Sequence, residues 1–343
     1  MKNKILFFSI DRLGDYLIRS NVIHCISKHY NSSEIICSEK NYKLIKKQIF
    51  FNKVFLFDTT KTINKIKFII NFFFKKYDAL ISFDGKNISN ILLLFMRASF
   101  KHIFIYKKNS FLDNFKTDLY CNLLKLLDIS YTILYSREYI ETYSLDHYPS
   151  KYRLLKKYYN NISDKTYYIE NFHLDNDIQL YESFIMIHLD EKFNDIIDIH
   201  ENFTESLNLF AKNFEKKIIL TAYKNNNNYY KNLLINKIPF QGLEYLNQYK
   251  EKIFILEDVP LVEFYNLIKK SDLNISCHGG FFVHASLLNN KNTIDIINNS
   301  DEKWLNTWIT KSDSYKIVYK SNSKKKKYIN EILLNLNNTI NEF

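Results

Sequence analysis

The chain has 343 residues and a formal net charge of +11, from 48 Lys and Arg against 37 Asp and Glu. Hydrophobic residues reach 46% with both charge signs interspersed, which excludes a disordered polyelectrolyte. With five Gly and three Pro, collagen and Gly/Pro-rich linkers are excluded too, and the length accommodates two domains with full cores.

Short apolar runs alternate with helix-period segments along the first half. Strands are expected at residues 5–10, 34–37, 53–57, 79–83 and 102–106. Helices are expected at 15–30, 42–50, 61–76 and 88–100. In the first helix Ile18, Val22, Cys25 or Ile26, and His29 fall on one stripe. Residues 111–177 read as a less regular, helical, Tyr-rich region. Alternation restarts near Phe184, with strands at 184–189, 217–222, 253–256, 273–276 and 293–297. Helices there are expected at 204–214, 261–270 and 282–288, and a Lys-rich helix at 324–340 closes the chain. Two βα blocks predict an α/β protein of two Rossmann-like domains facing across a cleft, residues 1–177 and 178–343. Ligands of such sheets bind at the carboxyl ends of strands.

The Lys excess suits anionic partners but is spread along the chain. No recognition motif accompanies it, so specific nucleic-acid binding is not expected. Cys25, Cys37, Cys121 and Cys277 are widely separated and lack finger spacing, which argues against structural zinc and for a reduced, cytoplasmic protein. The apolar start is interrupted by Asp11 and Arg12, too early for a signal sequence. No run reaches the roughly 18–20 apolar residues of a membrane span. Cytoplasmic residence is expected, compatible with peripheral attachment to the inner membrane.

Abundant Asn, Lys, Ile, Phe and Tyr reflect A/T-rich codons, which makes the scarce residues more informative. One Gly and two of the five Arg crowd into Arg12-Leu13-Gly14-Asp15 to Arg19, after the first strand. Gly14 would let the backbone turn closely. Asp15 reads either as a helix N-cap or as a general base at the strand end. G-x-G-x-x-G is absent, so this is not a dinucleotide fingerprint. Two more glycines are adjacent in Cys277-His278-Gly279-Gly280-Phe281, ahead of His284. This is either an ordinary strand-to-helix turn or a loop whose free N–H groups cradle a diphosphate. Cys277-His278 as a nucleophile pair is disfavoured because adjacent residues rarely meet productively. His278 and His284 make a poor metal site without a carboxylate. Lys192, past the strand at 184–189, could neutralise a phosphate. Asp84-Gly85-Lys86-Asn87 reads as a turn with Asn87 capping the next helix, or as part of an acceptor site.

Residues 4–30, with Arg12, Gly14 and Asp15, resemble the opening of family 9 glycosyltransferases, the heptosyltransferase group. The stretch 271–288 resembles that family's later strand, its Asp-Thr-Gly turn and the helix carrying His-x-Ala. This chain has His278-Gly279-Gly280 at the turn, and the family's His aligns with Val283, one position before His284. The resemblance implies a GT-B fold and inverting, metal-independent sugar transfer without a cofactor. The donor would be a nucleotide-sugar, and the acceptor a glycolipid or surface glycan of the lipopolysaccharide type. Taken with the residue patterns above, it makes Asp15 the expected base and Arg12, Gly14, Arg19 and Asp84 the expected acceptor residues. Lys192, His278, Gly279, Gly280, Phe281 and His284 go to the donor. The altered loop keeps a second reading open, a catalytically degenerate member that binds a glycan or membrane surface.

Overall fold

Two parallel sheets organise the chain. The structure is a computed structural model describing residues 2–57, 68, 70–72, 74–107, 111–135, 155, 157–159, 183–189, 202–212, 216–223, 229–278, 280–305, 309 and 313–320. It divides into one unit of Met1–His173 with Lys303–Thr310 and a second of Leu174–Glu302 with Lys311–Phe343.

The first unit runs β1 (Lys2–Ser9), α1 (Leu13–Ser27), β2 (Tyr30–Cys37), α2 (Glu39–Ile45), β3 (Lys53–Leu56) and β4 (Lys76–Ser82). It continues through α3 (Asn87–Phe95), β5 (Arg97–Lys107), α4 (Phe111–Leu126) and β6 (Ser130–Tyr135). The sheet order is β3-β2-β1-β4-β5-β6, with every pair parallel. Parallel pairing needs a crossover between strands, and the crossovers explain why strands buried on both faces read as continuous apolar runs. Leu6 and Phe8 of β1 pack on one face with Leu80 and Ile103. Phe7 meets the rings of Phe51 and Phe83 on the other.

The second unit runs β7 (Phe184–His188), α5 (Asn202–Lys212), β8 (Lys217–Ala222), β9 (Lys237–Pro239), β10 (Ile253–Glu257) and α6 (Leu261–Lys270). Next come β11 (Leu273–Ser276), α7 (Gly280–Leu288), β12 (Asn292–Asn298), α8 (Glu302–Leu305) and β13 (Tyr315–Lys320). Its order is β13-β12-β11-β7-β8-β10-β9, again all parallel. The α/β architecture of two parallel sheets is therefore as expected.

Several elements differ from expectation. Residues 111–135 form a regular helix and strand, α4 and β6, rather than an irregular bridge. The helix expected over 88–100 stops at Phe95, and β5 starts at Arg97. Strands β9 and β13 were not anticipated. α1 is buried from Tyr16 through Ser27, not along one stripe. The expected helices at 61–76 and 324–340 lie mostly or wholly outside the described residues.

Phe8 is fully buried in the central strand. Phe8→Ala is expected to destabilise the first unit by about 3–5 kcal/mol, through lost transfer energy and the cavity left behind. A urea titration of the chain, following the first transition, measures it.

Candidate active site

In each sheet the strand order reverses beside its first strand, between β1 and β4 in one and between β7 and β11 in the other. The carboxyl ends of strands at such a reversal leave a crevice that helices cannot fill. Both clusters singled out from the sequence stand at these points.

In the first unit β1 delivers Asp11, Arg12 and Asp15, and β4 delivers Asp84 to Asn87. α1 starts at Leu13, with Arg12 in the N-cap position and no side-chain cap. Gly14 is thus the second residue of the helix and not a turn residue, which corrects the sequence expectation. Asp15 is the third residue, not the cap. Its carboxylate accepts a hydrogen bond from the Arg12 backbone N–H, half of a capping box. Burial, and then the charge of Asp11, raises its pKa above the ordinary 3.8. Arg12 itself is exposed.

Arg19 is fully buried and forms an ion pair with Asp11. Its Nε also donates to the Asp15 carbonyl at 2.8 Å. Asp11 was not expected to matter. Its backbone carbonyl accepts from Asn41 Nδ2 at 2.9 Å, and its carboxylate from Ser9 Oγ at 3.2 Å. Arg19 therefore holds the turn together from inside, which replaces the expected acceptor contact with a structural one.

Asp84 is likewise buried. Its carboxylate accepts from Ile10 N–H at 2.9 Å, Lys86 N–H at 3.0 Å and Ser89 Oγ at 2.8 Å. Burial, with Asp11's charge next, raises its pKa. Asp84, not Asn87, secures the start of α3, whose N-cap is Lys86. Its oxygens are spent within the chain, so it ties β1 to β4 instead of meeting a ligand. Gly85, at φ +61°, passes under the Tyr106 ring, where a Cβ would run into a ring carbon. Beside it opens a cavity of about 550 Å³. Lys86, Asn87, Asn90, Lys116, Thr117 and Tyr120 supply its polar lining. Among the described residues, no group of three or more His, Cys, Asp or Glu is arranged to hold a metal ion.

In the second unit His278 follows β11 in a left-handed conformation, φ 59°. That conformation is uncommon for a residue with a Cβ, although His adopts it more readily than most. Asp295, in the adjacent strand β12, holds it there. One Asp295 oxygen accepts from the His278 backbone N–H at 2.7 Å. The other is 2.8 Å from His278 Nδ1 and accepts from the Tyr315 hydroxyl of β13 at 2.9 Å. Asp295 is fully buried. With Nδ1–H donating to the carboxylate, Nε2 is left as the working edge of the ring.

Gly280 opens α7, and a Cβ added there would meet no atom within 4 Å. Packing does not demand this glycine. The first turn of α7, exposed at Gly280, carries the partial positive charge of a helix N-terminus on its backbone N–H groups. Phe281 stacks on Phe264 with centroids 6.0 Å apart. His284 is buried, and burial together with the neighbouring His278 lowers its pKa to about 3. It is neutral at physiological pH and brings no charge to a phosphate. Gly279 and Lys192 lie outside the described residues.

Asp295 and Tyr315 escaped the sequence reading. The available signal was one carboxylate inside the apolar run Thr293–Ile297, since a buried carboxylate requires a partner.

No protein-family model and no curated protein matches the sequence. Solved structures do match in fold. The E. coli heptosyltransferase WaaC, solved with ADP-2-deoxy-2-fluoro heptose, is 11% identical at a TM-score of 0.67, covering 98% of this chain and 99% of that one. The fold is that of the GT-B glycosyltransferases. E. coli ADP-heptose lps heptosyltransferase II is 12% identical at a TM-score of 0.66, with 99% of each chain covered. A glycosyl transferase family 9 protein from Veillonella parvula is 12% identical at 0.60, covering 92% of this chain and 86% of that one. The group that the sequence resembles is among the proteins that share this fold.

Arg19→Ala is expected to cost about 3–5 kcal/mol of stability, because it leaves the buried Asp11 carboxylate uncompensated. Chemical denaturation checks it, and the double substitution Arg19→Met with Asp11→Leu should recover most of the loss.

Proposed function

We propose that the chain is an inverting, metal-independent glycosyltransferase. It would move a hexose- or heptose-type sugar from a nucleotide-sugar to a glycolipid or surface glycan of the lipopolysaccharide type. The observation that carries this reading is the placement of one reactive cluster at the strand-order reversal of each sheet. The GT-B likeness supports it, as do the heptosyltransferase names of the matching structures.

Asp15 is the base. Burial and the Asp11 charge raise its pKa above 3.8, which makes it a better proton acceptor than an ordinary carboxylate. The acceptor hydroxyl gives its proton to Asp15 as its oxygen bonds to the anomeric carbon. The bond from that carbon to the diphosphate oxygen breaks, and the nucleoside diphosphate leaves with the electron pair. The N–H groups opening α7, the Nε2 edge of His278, and Lys192 stabilise the leaving charge. Gly280 lets the diphosphate approach the backbone. In the first unit, the cavity lined by Lys86 and Lys116 suits an acceptor bearing hydroxyls and a negative group.

The degenerate reading keeps one supporting observation, the His278-Gly279-Gly280 loop where the family has Asp-Thr-Gly. Against it stands Asp295, which returns a carboxylate to the same loop from the next strand. Donor hydrolysis or transfer in vitro separates the two.

Asp15→Asn is expected to lower kcat by about 10²- to 10⁴-fold while nucleotide binding, read by calorimetry, stays unchanged. In the wild type, activity should fall as pH drops through a value above 3.8. The sign for stability is opposite. A carboxylate whose native pKa is raised loses stability as pH rises from its unfolded value through its native one. Asp15→Asn should therefore melt no lower than wild type at pH 7. Wild-type turnover in the variant would remove the base assignment.

Asp295→Asn should raise the KM for donor by about tenfold, the worth of one charge-assisted hydrogen bond, with acceptor KM unchanged. Steady-state kinetics in each substrate measures the split.

A further inference from the structure

The helices on one face of the first sheet are apolar on both sides. Two right-handed crossovers, from β4 to β5 and from β5 to β6, put α3 and α4 on the same face. Their inner side chains share one core: Leu92 and Leu93 of α3, and Cys121 and Leu124 of α4, pack in the cluster that holds Leu6, Phe8 and Ile103 of the strands. Phe72, from the helical segment before β4, packs there too.

Their outer side is apolar as well. On α4, Phe115, Leu119, Leu123 and Leu126 are 63%, 62%, 43% and 84% exposed. At 3.6 residues per turn these four lie within about 80° of arc, opposite the buried Cys121 and Leu124. On α3, Ile91 and Phe95, one turn apart, are 47% and 62% exposed. α3 has no charged residue at all. A helix apolar on both faces has not finished burying its surface.

The border of this patch is basic. Lys116 and Lys125 flank the α4 stripe and Arg97 follows Phe95, all exposed. The acid on the same helix face, Asp118, sits 3.8 Å from Lys107. A second copy docked here by two-fold symmetry would bring like charges together. An anionic lipid surface would instead neutralise the rim while the Phe and Leu side chains enter the acyl boundary. Among the described residues, no helix is long and apolar enough to cross a membrane. Attachment by this face requires no such helix.

We propose that the α3–α4 face is a docking surface for an anionic phospholipid bilayer, entered by Phe95, Phe115, Leu119 and Leu123 and oriented by Arg97, Lys116 and Lys125. This holds whether or not the chain transfers sugar. It is tested on the full chain by co-sedimentation with phosphatidylcholine vesicles and with mixed phosphatidylcholine–phosphatidylglycerol vesicles. Wild type should partition onto the mixed vesicles and weakly or not at all onto the neutral ones. The combined change Phe115→Ser, Leu119→Ser and Leu123→Ser should lower partitioning by about a hundredfold, the loss of three inserted apolar side chains, without lowering the melting temperature. If that variant does not fold, Arg97→Glu with Lys125→Glu decides, with an expected drop of about tenfold or more. Wild type left in the supernatant with mixed vesicles would overturn the proposal, as would serine or glutamate variants that bind like wild type. A wild-type dimer that the serine variant turns into a monomer, with no vesicle binding by either, would overturn it in favour of self-association.

Discussion

A guanidinium buried inside the first unit sets the geometry on which its candidate chemistry depends. Arg19 reaches from the second turn of α1 back to Asp11 and to the carbonyl of Asp15. Without that cation, Asp11, Asp15 and Asp84 would be three carboxylates gathered at one strand end with only main-chain and hydroxyl donors among them. With it, Asp11 is paired, and the same cation works against the rise that burial and Asp11 impose on the Asp15 pKa. Asp84 then serves as a clamp between β1 and β4. One charge fixes the turn in place and tunes the carboxylate standing on it.

The second unit solves the matching problem with the opposite sign. A carboxylate of β12 is buried there, and three donors converge on it, two from His278 in the loop after β11 and one from Tyr315 of β13. The result is a histidine in left-handed backbone whose ring cannot rotate away. Order around each cluster thus comes from a fully buried polar group with its partners arranged around it. Such an arrangement is rigid because leaving any member unpaired is costly.

Much of the architecture was legible because strands in parallel sheets advertise themselves. The strands Lys217–Ala222 and Leu273–Ser276 appear in the structure with the bounds read from their apolar runs, and the helix Leu261–Lys270 with the bounds read from its helical period. Legibility failed where the signal is weaker for a physical reason. β13 is an edge strand whose short run Ile317–Tyr319 is bounded by Lys316 and Lys320, and β9 has three residues ending in Pro239. Between α3 and β5 no Gly or Pro marks the break, so a helix was read through it. Asp15, His278 and Gly280 were visible because they lie beside scarce glycines. Asp295 and Tyr315 were not, since they are 17 and 37 positions from His278 in sequence and only the pairing of β11, β12 and β13 unites them. Arg19 and Asp84 were noticed for their type and position, but burial, which a sequence does not display, decides that they work inward.

The glycines can now be sorted by what enforces them. At Gly85 a Cβ would collide with the Tyr106 ring, and the left-handed backbone angle adds strain for most side chains. Gly242, at φ +154°, is held by its conformation as well. Gly280 has neither restraint. A side chain could be added at the start of α7 without disturbing its neighbours, so position 280 can be altered to probe that helix end while the sheet behind it stays intact.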